Sequence, residues 1–152
     1  LGIPYEIVPG VSSFLAAAAS LKREYTLPGV SQTVILTRME GRTAVPEREQ
    51  IEALAAHQPT MVIFLSVGEI VELGRRLQDG GYPADNPAAV VYKASWQAQK
   101  IVTGTLADIA DKVKEAGIRK TALVTVGRFL GDTFELSKLY DAHFTTEFRK
   151  GV

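Results

Sequence analysis

The sequence predicts an α/β fold with a mixed sheet, on three observations. The runs "TMVIFLS" (Thr60 to Ser66) and "TALVTVG" (Thr121 to Gly127) are almost unbroken in apolar residues, as in strands that are buried on both faces. From Thr33 onward, strand-like runs alternate with helical patterns in the order β-α-β-α-β-β-α-β, which is typical of a sheet covered by helices. The adjacent strand patterns near Tyr92 and Ile101 are close enough in sequence to pair directly, so the sheet should contain antiparallel strands.

The elements before Thr33 are predicted from apolar runs and turn residues. Ile3 to Val8 should form a short strand that ends at Pro9-Gly10. An alanine-rich helix should follow over Val11 to Leu21, with Ser12 or Ser13 as its cap. Pro28-Gly29 lies in the middle of "YTLPGVSQ", which is the best linker in the chain.

The elements after Thr33 follow from periodicity and helix boundaries. Pro46 suits the first turn of a helix, and Gly80-Gly81 suits the end of the next one, whose apolar stripe is Val67, Ile70, Val71, Gly74 and Leu77. Thr105 and Asp108 approximate a capping box. The predicted strands are "TVILTRM", "TMVIFLS", "AAVVYKAS", "QKIVTGT" and "TALVTVG", and the predicted helices are "PEREQIEALAAH", Val67 to Gln78 and "TLADIADKVKEAG".

Composition restricts the classes of function. The chain has 17 basic and 17 acidic residues, which argues against a broad electrostatic surface for nucleic acid. It has no cysteine, so disulfides and thiolate metal sites are excluded, and its two histidines are far apart in sequence. No apolar stretch reaches the ~20 residues of a membrane helix. Because no signal peptide is visible, we expect a cytoplasmic protein.

Small residues follow most of the predicted strands, where open α/β sheets bind ligands. Ser12 and Ser13 are either helix caps or ligand contacts, and Trp96 beside Lys93 either lines a planar ligand or belongs to a core or an interface. Arg38 and Arg42 either grip an anion or lie in a solvated loop. The chain has no Walker lysine, Gly-x-Gly-x-x-Gly, Gly-x-Ser-x-Gly or paired carboxylates. The residues alone therefore predict an α/β domain that binds an unnamed small ligand through its main chain.

Six segments in order resemble the tetrapyrrole methylases, which transfer methyl groups from S-adenosylmethionine to corrin or porphyrin precursors. These segments are "YEIVPGVSSFLAAAASL", "LTRMEGRT", "MVIFLSV", "AVVYKASW", "TGTLADIADKV" and "ALVTVGRFL". Within the family, "MEGRT", "YKASW" and "VGRFL" are most similar to the enzymes that methylate C11 of precorrin-4 or cobalt-precorrin-4 in cobalamin biosynthesis. Two alternatives stay open: a relative that acts at another ring position or in diphthine synthesis, and a non-catalytic binding or dimerisation module.

The resemblance implies two α/β domains with the cofactor between them. Residues 1–27 would be the end of the first, Rossmann-like domain, and residues 28–152 would be the second domain. Since Leu1 stands almost at the start of a strand, we expect the chain to be an N-terminally truncated fragment that is inactive by itself. The resemblance further implies a homodimer.

The resemblance also assigns site residues, position by position. The cofactor-binding residues would be Ser12, Ser13, Leu65, Ala94 and Gly127. The residues on the substrate side would be Arg38, Met39 and Arg42, and from its charge either Arg38 or Arg42 could pair with substrate carboxylates. The methyl group of S-adenosylmethionine is already electrophilic, so the enzyme mainly has to position it. The transfer itself needs no metal and little side-chain acid–base chemistry, so the sequence identifies no catalytic residue, and S-adenosylhomocysteine would be the product.

Overall fold

The protein's regular structure is an alternation of helices and strands. The structure, a computed structural model, describes residues 2–133 and residues 135, 143, 145, 147 and 150, so most of the chain beyond residue 133 lies outside the described residues. The elements are α1 (Ser13–Leu21), β1 (Val34–Arg38), α2 (Ile51–Ala55), β2 (Thr60–Phe64), α3 (Ile70–Asp79), β3 (Pro87–Tyr92), β4 (Lys100–Thr105), α4 (Ile109–Glu115) and β5 (Ala122–Val126). The predicted order after Thr33 is confirmed.

The five strands form one mixed sheet in the order β1-β2-β5-β3-β4. β1 and β2 are parallel, whereas β5 is antiparallel to both of its neighbours, β2 and β3. β3 pairs directly with β4, with Tyr92 opposite Lys100, so the predicted hairpin is confirmed. Consequently β1, β2 and β3 run one way, and β4 and β5 run the other.

Helices α2, α3 and α4 pack on one face of the sheet over the larger core. Leu73 is fully buried in α3, whereas Val71, predicted to be buried, is 72% exposed. The reason is that Val67–Glu69 forms a 3-10 turn before α3 begins at Ile70. A 3-10 turn advances 120° per residue rather than 100°, which shifts the buried stripe to Ile70, Leu73, Gly74 and Leu77.

The predicted helix from Pro46 is interrupted. Glu47–Glu49 forms a 3-10 turn, Gln50 is extended, and α2 begins at Ile51. α4 begins with half of the predicted capping box: the Thr105 N–H donates to Asp108 Oδ1 over 2.7 Å. Gly117 ends α4 in the left-handed conformation, with φ of 70°, as predicted for that position.

Helix α1 packs on the opposite face of the sheet, over a second core that contains Tyr25 and Phe129. The Tyr25 hydroxyl donates to the Phe14 carbonyl over 2.7 Å, and the Thr60 hydroxyl donates to the Tyr25 carbonyl over 2.8 Å. Burial raises the pKa of Tyr25 to about 12. Ala17 of α1 is fully buried in this cluster. The predicted division at residue 27 stays a prediction.

The predicted strand from Ile3 to Val8 is wrong, because residues 3–12 form no regular element. Ile3, Tyr5, Ile7 and Val8 are all at least 70% exposed. A strand is stabilised by hydrogen bonds to a neighbouring strand, and no described strand pairs with this segment. No helix in the described part of the chain has the length and hydropathy that crossing a membrane requires.

Candidate functional site

The carboxyl ends of β1, β2 and β3 meet the amino end of β5 at one edge of the sheet. Ile63 of β2 pairs with Val124 of β5, and Tyr92 of β3 pairs with Ala122 of β5. A cavity of about 370 Å³ opens there, which we call the strand-end cavity. Its lining residues are Ser13, Phe64, Leu65, Val67, Gly68, Val91, Lys93, Ala94, Trp96, Arg119, Lys120, Thr121, Ala122 and Leu123.

The backbone around the strand-end cavity is strained. Six non-glycine residues of the described chain have positive φ, and four of them lie at this edge: Leu65 (58°), Lys93 (47°), Ser95 (70°) and Thr121 (58°). A left-handed L-residue costs roughly 1–2 kcal/mol, and such residues concentrate at ligand sites. The Lys93 N–H donates to the Thr121 carbonyl over 3.0 Å, which joins two of these turns. The strain marks this edge as a site candidate independently of any motif.

Three predicted cofactor-binding residues, Ser13, Leu65 and Ala94, line the strand-end cavity together. Ser12 directly precedes Ser13 and is the N-cap residue of α1, but its side chain makes no capping hydrogen bond. The backbone carbonyl of Ser12 instead accepts from Leu15 N–H over 3.0 Å. Side-chain capping of α1 therefore does not explain why a serine stands at position 12.

Gly127 is not brought to the strand-end cavity. It follows β5, which is antiparallel to β2 and β3, so it lies at the opposite edge of the sheet. Its N–H donates to the Pro87 carbonyl, and a Cβ at this position would lie 3.3 Å from Thr60 Cα. Its φ of 146° also favours glycine. The geometry gives this glycine a packing role between the starts of β2 and β3.

Sequence reasoning missed Thr121 and Ala122, which line the cavity from the amino end of β5. Both residues stand at the start of a strand, whereas ligands in open α/β sheets are expected after strands. The signal was nevertheless available: a short hairpin between β3 and β4 reverses the chain, and a helical crossover keeps the new direction. β5 must then run against β1, β2 and β3 and present its amino end here.

Trp96 is 62% exposed at the cavity's rim, which excludes a place in the core. The Lys93 ammonium lies 5.2 Å from the centre of the Trp96 ring, within cation–π range. Gln99 Oε1 accepts from Ser95 N–H over 2.8 Å and from the Ser20 hydroxyl over 3.0 Å. The turn that carries the tryptophan is thereby tied to α1.

A second cavity of about 290 Å³, which we call the loop cavity, lies beside the first. It is lined by Arg38, by most of residues 39–44 (the 39–44 loop) and by Leu65, Ser66 and Glu69. Leu65 lines both cavities and is 88% exposed. The predicted substrate residues differ in their surroundings. The Met39 side chain is buried in the larger core, Arg38 bonds to the loop's own carbonyls, and Arg42 is exposed.

A mixed sheet whose strained strand ends surround an apolar cavity defines a small-molecule-binding α/β domain. The family model described as Tetrapyrrole (Corrin/Porphyrin) Methylases matches residues 1–110. The chain belongs to this family, as its sequence motifs predicted, and its fold is that of a tetrapyrrole methylase.

Among similar proteins, the cobalt-precorrin-4 C(11)-methyltransferase of Methanocaldococcus jannaschii is 58% identical over 98% of this chain and 58% of its own length. The precorrin-4 C(11)-methyltransferase of Mycobacterium tuberculosis is 50% identical over 92% of this chain and 57% of its own. The chain thus spans somewhat more than half the length of these relatives.

Two solved structures share the fold. The cobalamin biosynthetic enzyme cobalt precorrin-4 methyltransferase, CbiF, is 46% identical with a TM-score of 0.80, over 82% of this chain and 52% of its own. The uroporphyrin-III C-methyl transferase of Thermus thermophilus, complexed with S-adenyl homocysteine, is 26% identical with a TM-score of 0.67, over 85% of this chain and 55% of its own.

Proposed function

We propose that the complete gene product carrying this chain transfers a methyl group from S-adenosylmethionine to C11 of precorrin-4 or cobalt-precorrin-4 in cobalamin biosynthesis. Relatives with this named activity are 43% to 58% identical, whereas the uroporphyrin-III enzyme is 26% identical. The observation that carries the proposal is the convergence of Ser13, Leu65 and Ala94 on one cavity that adjoins a second cavity at Leu65.

The strand-end cavity suits a nucleoside-bearing cofactor. Phe64, Val91 and Leu123 give it apolar walls, and Ala94 leaves room beside the main chain. Ser12, Ser13, Leu65 and Ala94 would hold S-adenosylmethionine, which when bound supplies an electrophilic methyl carbon. None of the described lining residues is acidic or a histidine. The residues present therefore fit a transfer that depends on positioning and the exclusion of water rather than on a side-chain base.

The loop cavity is the proposed substrate side. Arg42 is exposed beside it and makes no hydrogen bond or ion pair with the described residues. An exposed guanidinium whose donors have no partner among the described residues can pair with a carboxylate through two parallel hydrogen bonds. Because Leu65 lies between the two cavities, the macrocycle and the cofactor would meet there.

The proposal includes a cytoplasmic homodimer. The dimer rests on the family resemblance, and analytical ultracentrifugation of the complete gene product measures it directly.

Filling the cavity tests cofactor binding. The Ala94→Trp variant of the complete gene product should lose measurable heat with S-adenosylhomocysteine in titration calorimetry, because an indole would occupy the space beside the main chain. Ala53→Trp is the matched control, since Ala53 is an exposed residue of α2. Unchanged affinity of Ala94→Trp would remove Ala94 from the site.

The reaction is tested with S-adenosylmethionine labelled with ¹³C in its methyl group. NMR of the product should place the label at C11. Label at another ring carbon would reassign the enzyme within the family, and the absence of both transfer and S-adenosylhomocysteine binding would favour a non-catalytic module.

A further inference from the structure

Arg38, the last residue of β1, bonds to the backbone of the 39–44 loop. Its Nη1 donates to the carbonyls of Met39 and Thr43, each over 3.0 Å, and its Nη2 donates to the Ala44 carbonyl over 3.3 Å. The guanidinium thus bridges both ends of the loop. A planar, forked donor suits such a set of acceptors, whereas an ammonium concentrates its donors at one point.

Two further contacts fix the start of the loop to the rest of the protein. The Ser66 hydroxyl accepts from Met39 N–H over 3.0 Å and donates to the Phe64 carbonyl over 2.8 Å. Glu40 reaches the nearly buried Arg76 of α3 over 3.2 Å, and Arg76 is paired with Glu52 of α2 at 2.6 Å. The loop is therefore held by Ser66, by Arg76 of α3 and by Arg38 at the end of β1.

Arg42 is the exception within the loop. It is exposed and lies in sequence between Met39 and Thr43, whose carbonyls bind Arg38, but its side chain has no hydrogen bond or ion pair with the described residues. A braced loop fixes the backbone of Arg42 and therefore the point from which its guanidinium, which has no hydrogen bond or ion pair with the described residues, can reach an anion. Preorganisation of this kind lowers the entropy lost when an anion binds.

We propose that Arg38 is a positioning residue: it shapes the 39–44 loop so that Arg42 meets a carboxylate of the tetrapyrrole, and it does not itself pair with the substrate. This assignment rests on the proposed function for the identity of the ligand. The brace itself depends only on the contacts within the loop.

The first test asks, in the complete gene product, whether Arg38 and Arg42 act through their positive charge or through the forked shape of the guanidinium. Arg38→Gln should raise the KM for the tetrapyrrole roughly tenfold or more, with kcat and the Kd for S-adenosylhomocysteine within about twofold, because uniform binding is lost. Arg38→Lys should stay impaired, since it keeps the charge but not the fork. Arg42→Lys should retain most of the affinity that Arg42→Gln loses, since it keeps the charge. Arg48→Gln, an exposed change of the same charge, should have no effect.

The double variant Arg38→Gln/Arg42→Gln separates the two roles. If Arg38 acts through Arg42, the two increases in KM are not multiplicative, because the brace matters little once Arg42 is gone. Multiplicative increases, or full recovery of KM in Arg38→Lys, would make Arg38 a direct ligand and overturn the proposal.

The second test needs no activity. Trypsin cleaves after Arg42, so mass spectrometry can follow this bond while cleavage after Lys114 in α4 reports global unfolding. Arg38→Gln and Arg38→Lys should both speed cleavage after Arg42 several-fold without changing cleavage after Lys114. An unchanged rate of cleavage after Arg42 would refute the claim that Arg38 holds the loop.

The two proposals can fail separately. If the wild type shows no methyl transfer, the proposed function fails, and the cleavage rates still decide whether Arg38 holds the loop.

Discussion

Leu65 offers a sharp test, because its replacement by glycine should separate stability from binding. Leu65 has a left-handed φ of 58° and is 88% exposed, at the boundary between the two cavities. A bulky apolar residue with these properties contributes little to the stability of the folded chain. We therefore expect Leu65→Gly to leave the fold intact while weakening both ligands.

The magnitude follows from three opposing contributions. Removing left-handed strain gains roughly 1–2 kcal/mol, and the extra freedom of glycine in the unfolded chain costs about 0.5–1 kcal/mol. Full burial of a leucine contributes about 1.5–3 kcal/mol, so the small buried part of Leu65 contributes only about 0.3 kcal/mol. The free energy of unfolding should thus be unchanged or up to about 1 kcal/mol higher.

Urea unfolding measures the change in the free energy of unfolding, and two other variants serve as references. Leu65→Ala keeps the strain and loses the side chain, so it should be about 1 kcal/mol less stable than Leu65→Gly. Leu73→Ala, at a fully buried position, should cost about 2–5 kcal/mol.

Calorimetry and steady-state kinetics on the complete gene product measure the affinity for the cofactor and the substrate. Leu65→Gly should raise the Kd for S-adenosylhomocysteine and the KM for the tetrapyrrole, since Leu65 lines both cavities. If affinity for both ligands stays within about twofold, less than 0.5 kcal/mol, the reasoning fails. A loss of stability above about 1 kcal/mol would also refute it, because the side chain would then have a structural role.

Two further predictions concern the contact between α2 and α3. The Arg76 guanidinium bonds to the Glu52 carboxylate and lowers its pKa. Glu52→Gln should therefore lower the free energy of unfolding at pH 7 by about 2 kcal/mol, less than for a fully buried pair, because Glu52 is partly solvated. A depressed folded-state pKa gives stability that is present above the usual value of 4.5 and is lost as pH falls through the folded value. The free energies of unfolding of the variant and the wild type, measured with urea, should therefore converge in acid. A difference that stays constant with pH would contradict this reasoning. Gly80→Ala should destabilise by about 1–3 kcal/mol, because its Cβ would lie 2.6 Å from both Ala55 Cβ and the Glu52 carbonyl; Gly41→Ala, which meets nothing within 4 Å, is the control in the same unfolding assay.

Local patterns predicted the strands because burial on both faces leaves a continuous apolar run. Met61 to Ile63 and Val124 to Val126 are almost fully buried, and the sequence alone located both strands. The same reasoning failed for Ile3 to Val8, since an apolar run predicts a strand only if a neighbour pairs with it. Its amino acids satisfy the pattern, but the described chain offers them no partner strand.

The candidate site was predicted where its residues follow strands, and its details were missed where they depend on strand direction or on the shape of a loop. Ser13, Leu65 and Ala94 stand next to recognisable elements, so their positions could be inferred. Arg38 was predicted to bind an anion from its residue type, which cannot reveal the carbonyl acceptors that surround its guanidinium. Its three carbonyl partners lie one to six residues away, in a loop whose shape no periodicity encodes.

The direction of β5 links the fold to the proposed chemistry. Had β5 been parallel to β2, Gly127 and the exposed Arg128 would lie at the cavity edge. The hairpin between β3 and β4 reverses the chain instead, and β5 brings Thr121 and Ala122 to the cavity. Thr121 contributes a left-handed turn whose carbonyl accepts from Lys93 N–H. Beside the longer side chains of Arg119, Lys120 and Leu123, β5 thus brings main-chain groups and two small side chains to the cavity. Such a lining suits a reaction in which the donor is already activated and the protein must mainly hold it in place.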